Sequence, residues 1–177
     1  GDVSWVKPMK YVGIWWGMHI GIWSFYQGEK HGATTKRAME YIDFASDNGF
    51  DEVLVEGWNE GWTRTWGSDF GKNMIFTKPT PDFDLFAVQD YAKSKNISLQ
   101  SYNETCANSI NYLSKIDSGF KLYSSRGYKS VKVGQVNDKL VNGEWHHGQY
   151  GVNYFQTVVE KGAEYKLAIN FHEPIKP

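Results

Sequence analysis

The segment Val53-Leu54-Val55-Glu56 is a short apolar run that ends in a carboxylate. A run of this length and composition predicts a buried β-strand, and a glutamate directly after it is costly to bury without a partner. The same order returns further along the chain, at Tyr102-Asn103-Glu104 and at Phe171-His172-Glu173. These polar groups therefore mark the ends of predicted strands.

Amphipathic segments separate the predicted strands. The residues Ala38, Tyr41, Ile42 and Ala45 share one helical face, and Gly49 is a typical stop after it. We predict strands at 11–16, 53–56, 97–102, 128–133 and 167–171, and helices at 34–48, 83–95, 107–125 and 149–164, the third interrupted at Gly119. Short strands that alternate with such helices predict parallel strands joined by right-handed crossovers, which is the α/β class.

The strand ends favour a (β/α)8 barrel over a doubly wound open sheet. In barrels, reactive side chains come from the carboxyl ends of several strands. Here four successive strands would deliver Glu56, Glu104, Lys132 and the pair His172-Glu173 to one rim. No GxGxxG or P-loop motif follows the first strand, although an open nucleotide-binding sheet often has one. A complete barrel takes about 250 residues, so we expect residues 1–177 to form one partial barrel with five βα units.

Charge and composition exclude several classes of function. The chain has 19 basic and 20 acidic residues and a net charge of −1, which argues against nucleic acid or an anionic membrane surface as a partner. We expect no membrane insertion, because no run approaches the roughly 18–20 apolar residues that a spanning helix needs, and the first residues show no signal peptide. The single cysteine, Cys106, allows no intrachain disulfide, so a packed core must hold the fold.

The three strand-end glutamates, Glu56, Glu104 and Glu173, are the candidates for chemistry. Glycoside hydrolysis needs such a set, because one carboxylic acid protonates the departing oxygen and another carboxylate attacks the sugar or activates a water. The alternative for each glutamate is an ion pair with a neighbouring lysine. Lys132 could accordingly be a Schiff-base or general-base lysine, a donor to sugar hydroxyls, or simply the partner of Glu56 or Glu104.

Other side chains of the rim suggest a metal ion and a sugar. His172 could bind a hydroxyl, ligate a metal or be a satisfied core histidine. His146 and His147 lack the spacing that places two zinc ligands on one helix face, and calcium fits an acidic rim better. The tryptophans of the first two loops are flat enough to stack on sugar rings; they are Trp15, Trp16, Trp23, Trp58, Trp62 and Trp66.

The order and spacing of these motifs, from about Tyr11 to Pro177, resemble the catalytic domain of glycoside hydrolase family 97. That family comprises α-glucosidases and α-galactosidases of glycan-degrading bacteria. The string Val53-Leu54-Val55-Glu56-Gly57-Trp58-Asn59-Glu60-Gly61-Trp62 is the most specific part of the resemblance. The other matching segments are 30–35, 41–45, 81–84, 103–105, 130–132, 146–149 and 172–173.

The resemblance implies a calcium-dependent barrel enzyme that acts on oligosaccharides of the α-glucan type. By resemblance, Glu104 and Glu173 are the two general-base glutamates, and Glu173 also ligates calcium. Substrate contacts are implied or predicted for five further residues, which are Glu56, Lys132, His172, Trp15 and Tyr102. The family's general acid lies some two dozen residues beyond the His-Glu pair, and its flanking β domains have no counterpart in 1–177. We therefore expect these residues alone to be inactive, and the resemblance implies a periplasmic or secreted location in a bacterium.

One position separates the two stereochemical branches of the family. Retaining members place an aspartate nucleophile just after the lysine-containing segment, where this chain has Gly134. Glycine cannot attack a sugar, so the resemblance is to the inverting, α-glucosidase-like branch. The chain departs from the family pattern at Tyr102, where a histidine is common, and at Gly17, where a glutamate is often found. The change at Tyr102 leaves α-galactosidase specificity open.

Two other classes of function compete with a glycosidase. A non-catalytic sugar-binding domain would keep the tryptophan loops but would not need Glu104. A metal-dependent sugar isomerase would need two or three ligand carboxylates together with His172. We favour a piece of an inverting α-glucosidase that carries the base side of the site.

Overall fold

The structure, a computed structural model, describes residues 2–176. Five parallel strands form one sheet in the order β1-β2-β3-β4-β5. They are β1 (Tyr11–Ile14), β2 (Glu52–Val55), β3 (Ser98–Glu104), β4 (Ser130–Gly134) and β5 (Ala168–Phe171). The helices are α1 (Trp16–His19), α2 (Thr35–Asp47), α3 (Leu85–Ser94), α4 (Ser109–Arg126) and α5 (Gln149–Glu164). The predicted α/β class is confirmed, and the sequential order of parallel strands is that of consecutive units in a (β/α)8 barrel.

Side-chain caps set the beginning of three helices. The Thr34 side chain accepts a hydrogen bond from Arg37 N at 3.3 Å, and Asp84 Oδ1 accepts from Ala87 N at 3.0 Å. Asn108 Oδ1 accepts from Asn111 N at 3.0 Å. Each cap satisfies an amide of the first turn that has no partner within the helix. The three helices consequently begin within two residues of where the sequence predicts them.

The predicted interruption of α4 at Gly119 is wrong, because the helix runs from Ser109 to Arg126 without a break. Gly119 is buried, and a Cβ there would lie 3.3 Å from Phe76 Cβ. The glycine serves close packing against the segment that precedes α3 and does not end the helix. The helix ends instead at Gly127, which adopts a left-handed φ of 85°.

The two faces of the sheet have different roles. Because side chains alternate along a strand, Glu52 and Glu56 lie on one face, as do Tyr102 and Glu104. Asn103 points to the other face, where its Nδ2 donates to the hydroxyl of Tyr112 in α4 at 3.1 Å. The hydrophobic core fills the space between this face and the helices. Within residues 2–176, no helix is both long and apolar enough to cross a membrane.

Candidate active site

The carboxyl ends of β2 to β5 bring the predicted site residues to one edge of the sheet. Glu56 directly follows β2, Glu104 is the last residue of β3, and His172-Glu173 follow β5. The register pairs Tyr102 with Lys132 across β3 and β4. The strands are parallel and adjacent, so their final side chains share the edge where barrel enzymes place their active sites.

Lys132 and Glu56 form a buried ion pair. Lys132 Nζ lies 3.3 Å from Glu56 Oε1, and the two side chains are 11% and 2% exposed. Burial raises the pKa of Glu56, and the Lys132 ammonium opposes that rise. Lys132 Nζ also lies 5.7 Å from the Tyr102 ring centroid and 6.0 Å from that of Trp15. The structure thus brings the lysine and its partner together in the manner that the ion-pair alternative predicts.

Glu104 is a fully enclosed carboxylate of the site, at 1% exposure. Its Oε1 accepts from the Cys106 backbone N–H at 2.7 Å, and its Oε2 accepts from the Tyr102 hydroxyl at 2.8 Å. Burial raises the pKa of Glu104 to about 7, although these two donors act to lower it. Each oxygen retains a lone pair beyond its one donor, so the carboxylate is held in place yet can still accept a proton.

Glu173 and His172 form the accessible part of the edge. Glu173 Oε2 accepts from the Gln135 backbone N–H at 2.8 Å, and its Oε1 lies 2.8 Å from His172 Nδ1. Both residues line a cavity of about 440 Å³. Trp15 meets the His172 ring edge-on, with the ring centroids 6.4 Å apart. This edge therefore offers two carboxylates in different settings, since Glu104 is buried and Glu173 is partly exposed to solvent.

Tyr102 is a predicted substrate contact whose polar atoms are already bonded to other residues of the protein. Its side chain is 2% exposed, and its hydroxyl is bonded to Glu104. Trp58 Nε1 donates to the Tyr102 carbonyl at 3.1 Å, and the Trp62 ring is stacked 6.3 Å away. A contact of Tyr102 with substrate stays a prediction.

The residues described here do not form a complete calcium site. Among residues 2–176, no group of three or more His, Cys, Asp or Glu side chains could hold a metal ion. Glu173 supplies hard oxygen donors of the kind that calcium prefers, but calcium takes about 6–8 such ligands. Glu173 therefore fits calcium in the type of its donor atoms, but the described residues supply too few such donors for a complete site.

The stacking prediction is wrong for two of the six tryptophans. Trp58 and Trp62 are 3% and 7% exposed. Trp62 stacks on Phe25 with the ring centroids 5.0 Å apart, and its Nε1 donates to Asn59 Oδ1 at 3.2 Å. The long loops after β1 and β2 pack against the sheet, and the rings of Trp58 and Trp62 are buried between these loops and the sheet. Trp16, at 59% exposure, is the tryptophan of the set that the structure leaves open.

Sequence reasoning missed the backbone donors of the site. Cys106 N–H holds Glu104, and Gln135 N–H holds Glu173. Cys106 and the following Ala107 both adopt left-handed φ values, 50° and 60°. Non-glycine residues seldom take this conformation and often do so at functional sites. Neither Cys106 nor Ala107 signals such a turn by its side chain, so no residue pattern could have indicated it.

Comparison with known proteins gives consistent matches. A family model described as Glycoside hydrolase 97 matches residues 15–177. A family 97 enzyme from Pseudoalteromonas sp. strain K8, solved in complex with acarbose, is 45% identical with a TM-score of 0.92, over 99% of this chain and 28% of that one. A variant of that enzyme in complex with panose gives the same identity, coverage and TM-score. A retaining α-galactosidase from Bacteroides thetaiotaomicron is 27% identical over 99% of this chain and 23% of that protein. The chain thus spans about a quarter of the length of these relatives.

Proposed function

Because the chain belongs to glycoside hydrolase family 97, we propose that it carries the base side of an inverting α-glucosidase site. The observation that carries this proposal is the setting of Glu104. It is a buried carboxylate at a strand end, it is held by two donors, and its raised pKa suits a general base at neutral pH. The acarbose and panose complexes of the relative that is 45% identical support an α-glucan-type oligosaccharide as substrate.

In the proposed reaction, Glu104 and Glu173 hold a water on the face of the sugar opposite the leaving group. The water oxygen bonds to the anomeric carbon as the glycosidic bond breaks, and the proton of the water passes to the Glu104 carboxylate. The departing oxygen takes its proton from a general acid outside residues 1–177, so the isolated chain is inactive under this proposal. Lys132 donates to a sugar hydroxyl and Glu56 accepts from one.

Inversion is supported by Gly134, which follows the lysine-containing strand segment and has no side chain that could attack the sugar. The relationship to a retaining α-galactosidase at 27% identity makes retention with galactoside specificity the second candidate. For calcium, Glu173 would be one ligand, completed by oxygen donors outside the described residues. A bound calcium would add positive charge near the reacting sugar.

The anomer that is released first distinguishes the two candidates. We expect the intact protein, acting on an α-glucoside, to release the β-anomer, because the water attacks from the opposite face. The measurement is ¹H NMR of the anomeric protons during the first minutes, before mutarotation equilibrates them. Initial release of the α-anomer would contradict inversion, and turnover of an α-galactoside with no turnover of the α-glucoside would favour the second candidate.

The raised pKa of Glu104 predicts an acidic limb in the rate profile. A general base must be ionised, so kcat/KM of the intact protein is expected to fall tenfold per pH unit below an apparent pKa near 7. Desolvation disfavours the charged form, which moves the limb above the usual range for a glutamate. Initial rates with a neutral aryl α-glucoside between pH 4 and 9 test this. A flat profile down to pH 5 would rule out a buried Glu104 as the base.

A further inference from the structure

Gly134 faces Glu104 across the β3–β4 ladder, and its environment leaves no room for a side chain. A Cβ built at this position would overlap the Tyr102 hydroxyl and would lie 2.6 Å from Glu104 Oε2. Gly134 does not have a left-handed φ. The backbone therefore does not require glycine here, and the requirement is for space alone.

The group that takes this space is the Tyr102 hydroxyl. Tyr102 lies on the same sheet face as Glu104 and two residues before it, and its hydroxyl donates to Glu104 Oε2 at 2.8 Å. Burial and the nearby carboxylates raise the pKa of Tyr102 well above its ordinary value. The phenol consequently keeps its proton throughout the working pH range and stays a donor to Glu104.

We propose that Tyr102 is the positioning residue of the general base Glu104, and that position 134 is glycine because the Tyr102 hydroxyl needs the space. The inference rests on the proposed function, since it assigns Tyr102 a role through Glu104. With Cys106 N–H on Oε1 and Tyr102 on Oε2, the carboxylate plane is fixed from both sides. The lone pairs that remain free then point to one place, where the water is activated.

Tyr102→Phe in the intact protein tests the positioning role. Loss of a hydrogen bond to a charged group is expected to lower kcat by about tenfold to a hundredfold, with KM changed by less than about twofold, because the interaction is made with the base and not with substrate. The acidic limb should move to higher pH, since a donor that favours the ionised carboxylate is lost. Glu56, Lys132 and Glu173 also act on this part of the site, and all three are retained in the variant.

The matched control is Tyr112→Phe, which removes a buried hydroxyl that accepts from Asn103 on the other face of the sheet. It can lower the thermal midpoint, but kcat and the acidic limb should stay those of the wild type. A Tyr102→Phe enzyme with wild-type kcat and an unshifted limb would overturn the inference. A rise in KM as large as the fall in kcat in Tyr102→Phe would also overturn it, in favour of a direct substrate contact.

Gly134→Ala provides a second, independent test. It is expected to lower kcat at least as much as Tyr102→Phe, because its Cβ displaces the hydroxyl or the carboxylate. In the Tyr102→Phe background the additional loss should be smaller, because the contact with the hydroxyl is gone; the contacts of the Cβ with Glu104 Oε2 at 2.6 Å and with the ring carbon at 2.9 Å leave part of it. Gly13→Ala in β1 is the control, since a Cβ there meets Leu54 at an ordinary 3.4 Å. Full activity of Gly134→Ala would sink the inference, whereas α-anomer release by the wild type would sink the proposed function itself.

Discussion

Glu104→Gln lowers kcat of the intact protein by about 10²–10⁴-fold, with KM changed far less, if Glu104 is the general base. The amide cannot accept the proton of the attacking water, yet it matches the carboxylate in shape. Its oxygen can still accept from the Tyr102 hydroxyl or from Cys106 N–H, which limits the structural damage. Initial rates with an aryl α-glucoside measure the effect, and retention of more than about a tenth of kcat would contradict the assignment.

Glu52→Gln is the matched control for Glu104→Gln. Glu52 is also fully buried and lies on the same sheet face, but at the opposite end of the strands, where it accepts from the Ser130 hydroxyl at 2.7 Å. We expect a change in thermal stability and no comparable loss of kcat. An equal loss in both variants would indicate that any buried amide at this sheet disturbs the fold.

Chemical rescue adds a stereochemical test of the base. In Glu104→Ala, added azide can occupy the space of the missing carboxylate and attack the anomeric carbon without a base. The expected product is a β-glucosyl azide, since the nucleophile enters where the water did. Recovery of the α-azide would place the removed carboxylate on the other face of the sugar and contradict its role as the base.

Lys132→Met destabilises the intact protein by about 3–5 kcal/mol at alkaline pH, where it leaves an ionised Glu56 buried beside no cation. Glu56 and Lys132 are 3.3 Å apart, and both are almost fully enclosed. Lys95→Met is the matched control, since the Lys95–Asp43 pair lies on the surface, where water and salt screen it, and its loss is expected to change the stability far less. Denaturant and thermal unfolding of the three proteins give the comparison.

The destabilisation by Lys132→Met should depend on pH, with a sign set by Glu56. Burial already raises the pKa of Glu56 above its unfolded value, and loss of Lys132 raises it further. In both proteins the folded state binds this proton more tightly than the unfolded state, so both lose stability as pH rises from the unfolded pKa to about 8. Above about pH 8 the wild type loses no more, whereas Lys132→Met continues to lose stability up to its own, higher folded pKa. The double variant Lys132→Met/Glu56→Gln removes this pH dependence and recovers most of the stability.

The same double variant separates a structural ion pair from a substrate-binding pair. If Lys132 and Glu56 contact sugar hydroxyls, kcat/KM of Lys132→Met/Glu56→Gln stays low although the fold is restored. Recovery of kcat/KM together with stability would assign the pair a purely structural role. This outcome would remove both residues from the proposed substrate contacts and leave Glu104 unaffected.

The five strands and the helices α2 to α5 were predictable to within a few residues because their signals are local, whereas the short helix α1 was not predicted. The apolar run before Glu56, the caps at Thr34 and Asp84, and the apolar face of α2 each specify an element without reference to the rest of the chain. Gly119 misled this reasoning, since a glycine that ends a helix and one that permits close packing look identical in a sequence. Phe76, 43 residues away, decides between them.

The tryptophans likewise show that a local sequence pattern does not decide how a residue packs in the fold. A loop rich in Trp and Gly is compatible with an open sugar platform and with a folded layer. Trp62 became part of that layer because Phe25 and Tyr102 lie parallel to its ring. Which tryptophans stay exposed depends on how two loops pack on each other, and neither loop encodes that alone.

The sequence by itself determined the family, the α/β class and the edge at which Glu56, Glu104, Lys132 and Glu173 meet. Parallel strands that follow one another must bring their carboxyl ends together, and a charged residue after an apolar run identifies each end. Only the tertiary structure decided the partners of these groups, such as Tyr102 on Glu104 and the space at Gly134. Those contacts depend on strand register and on backbone turns at the scale of an ångström, and hydrogen bonds and pKa values change over that same distance.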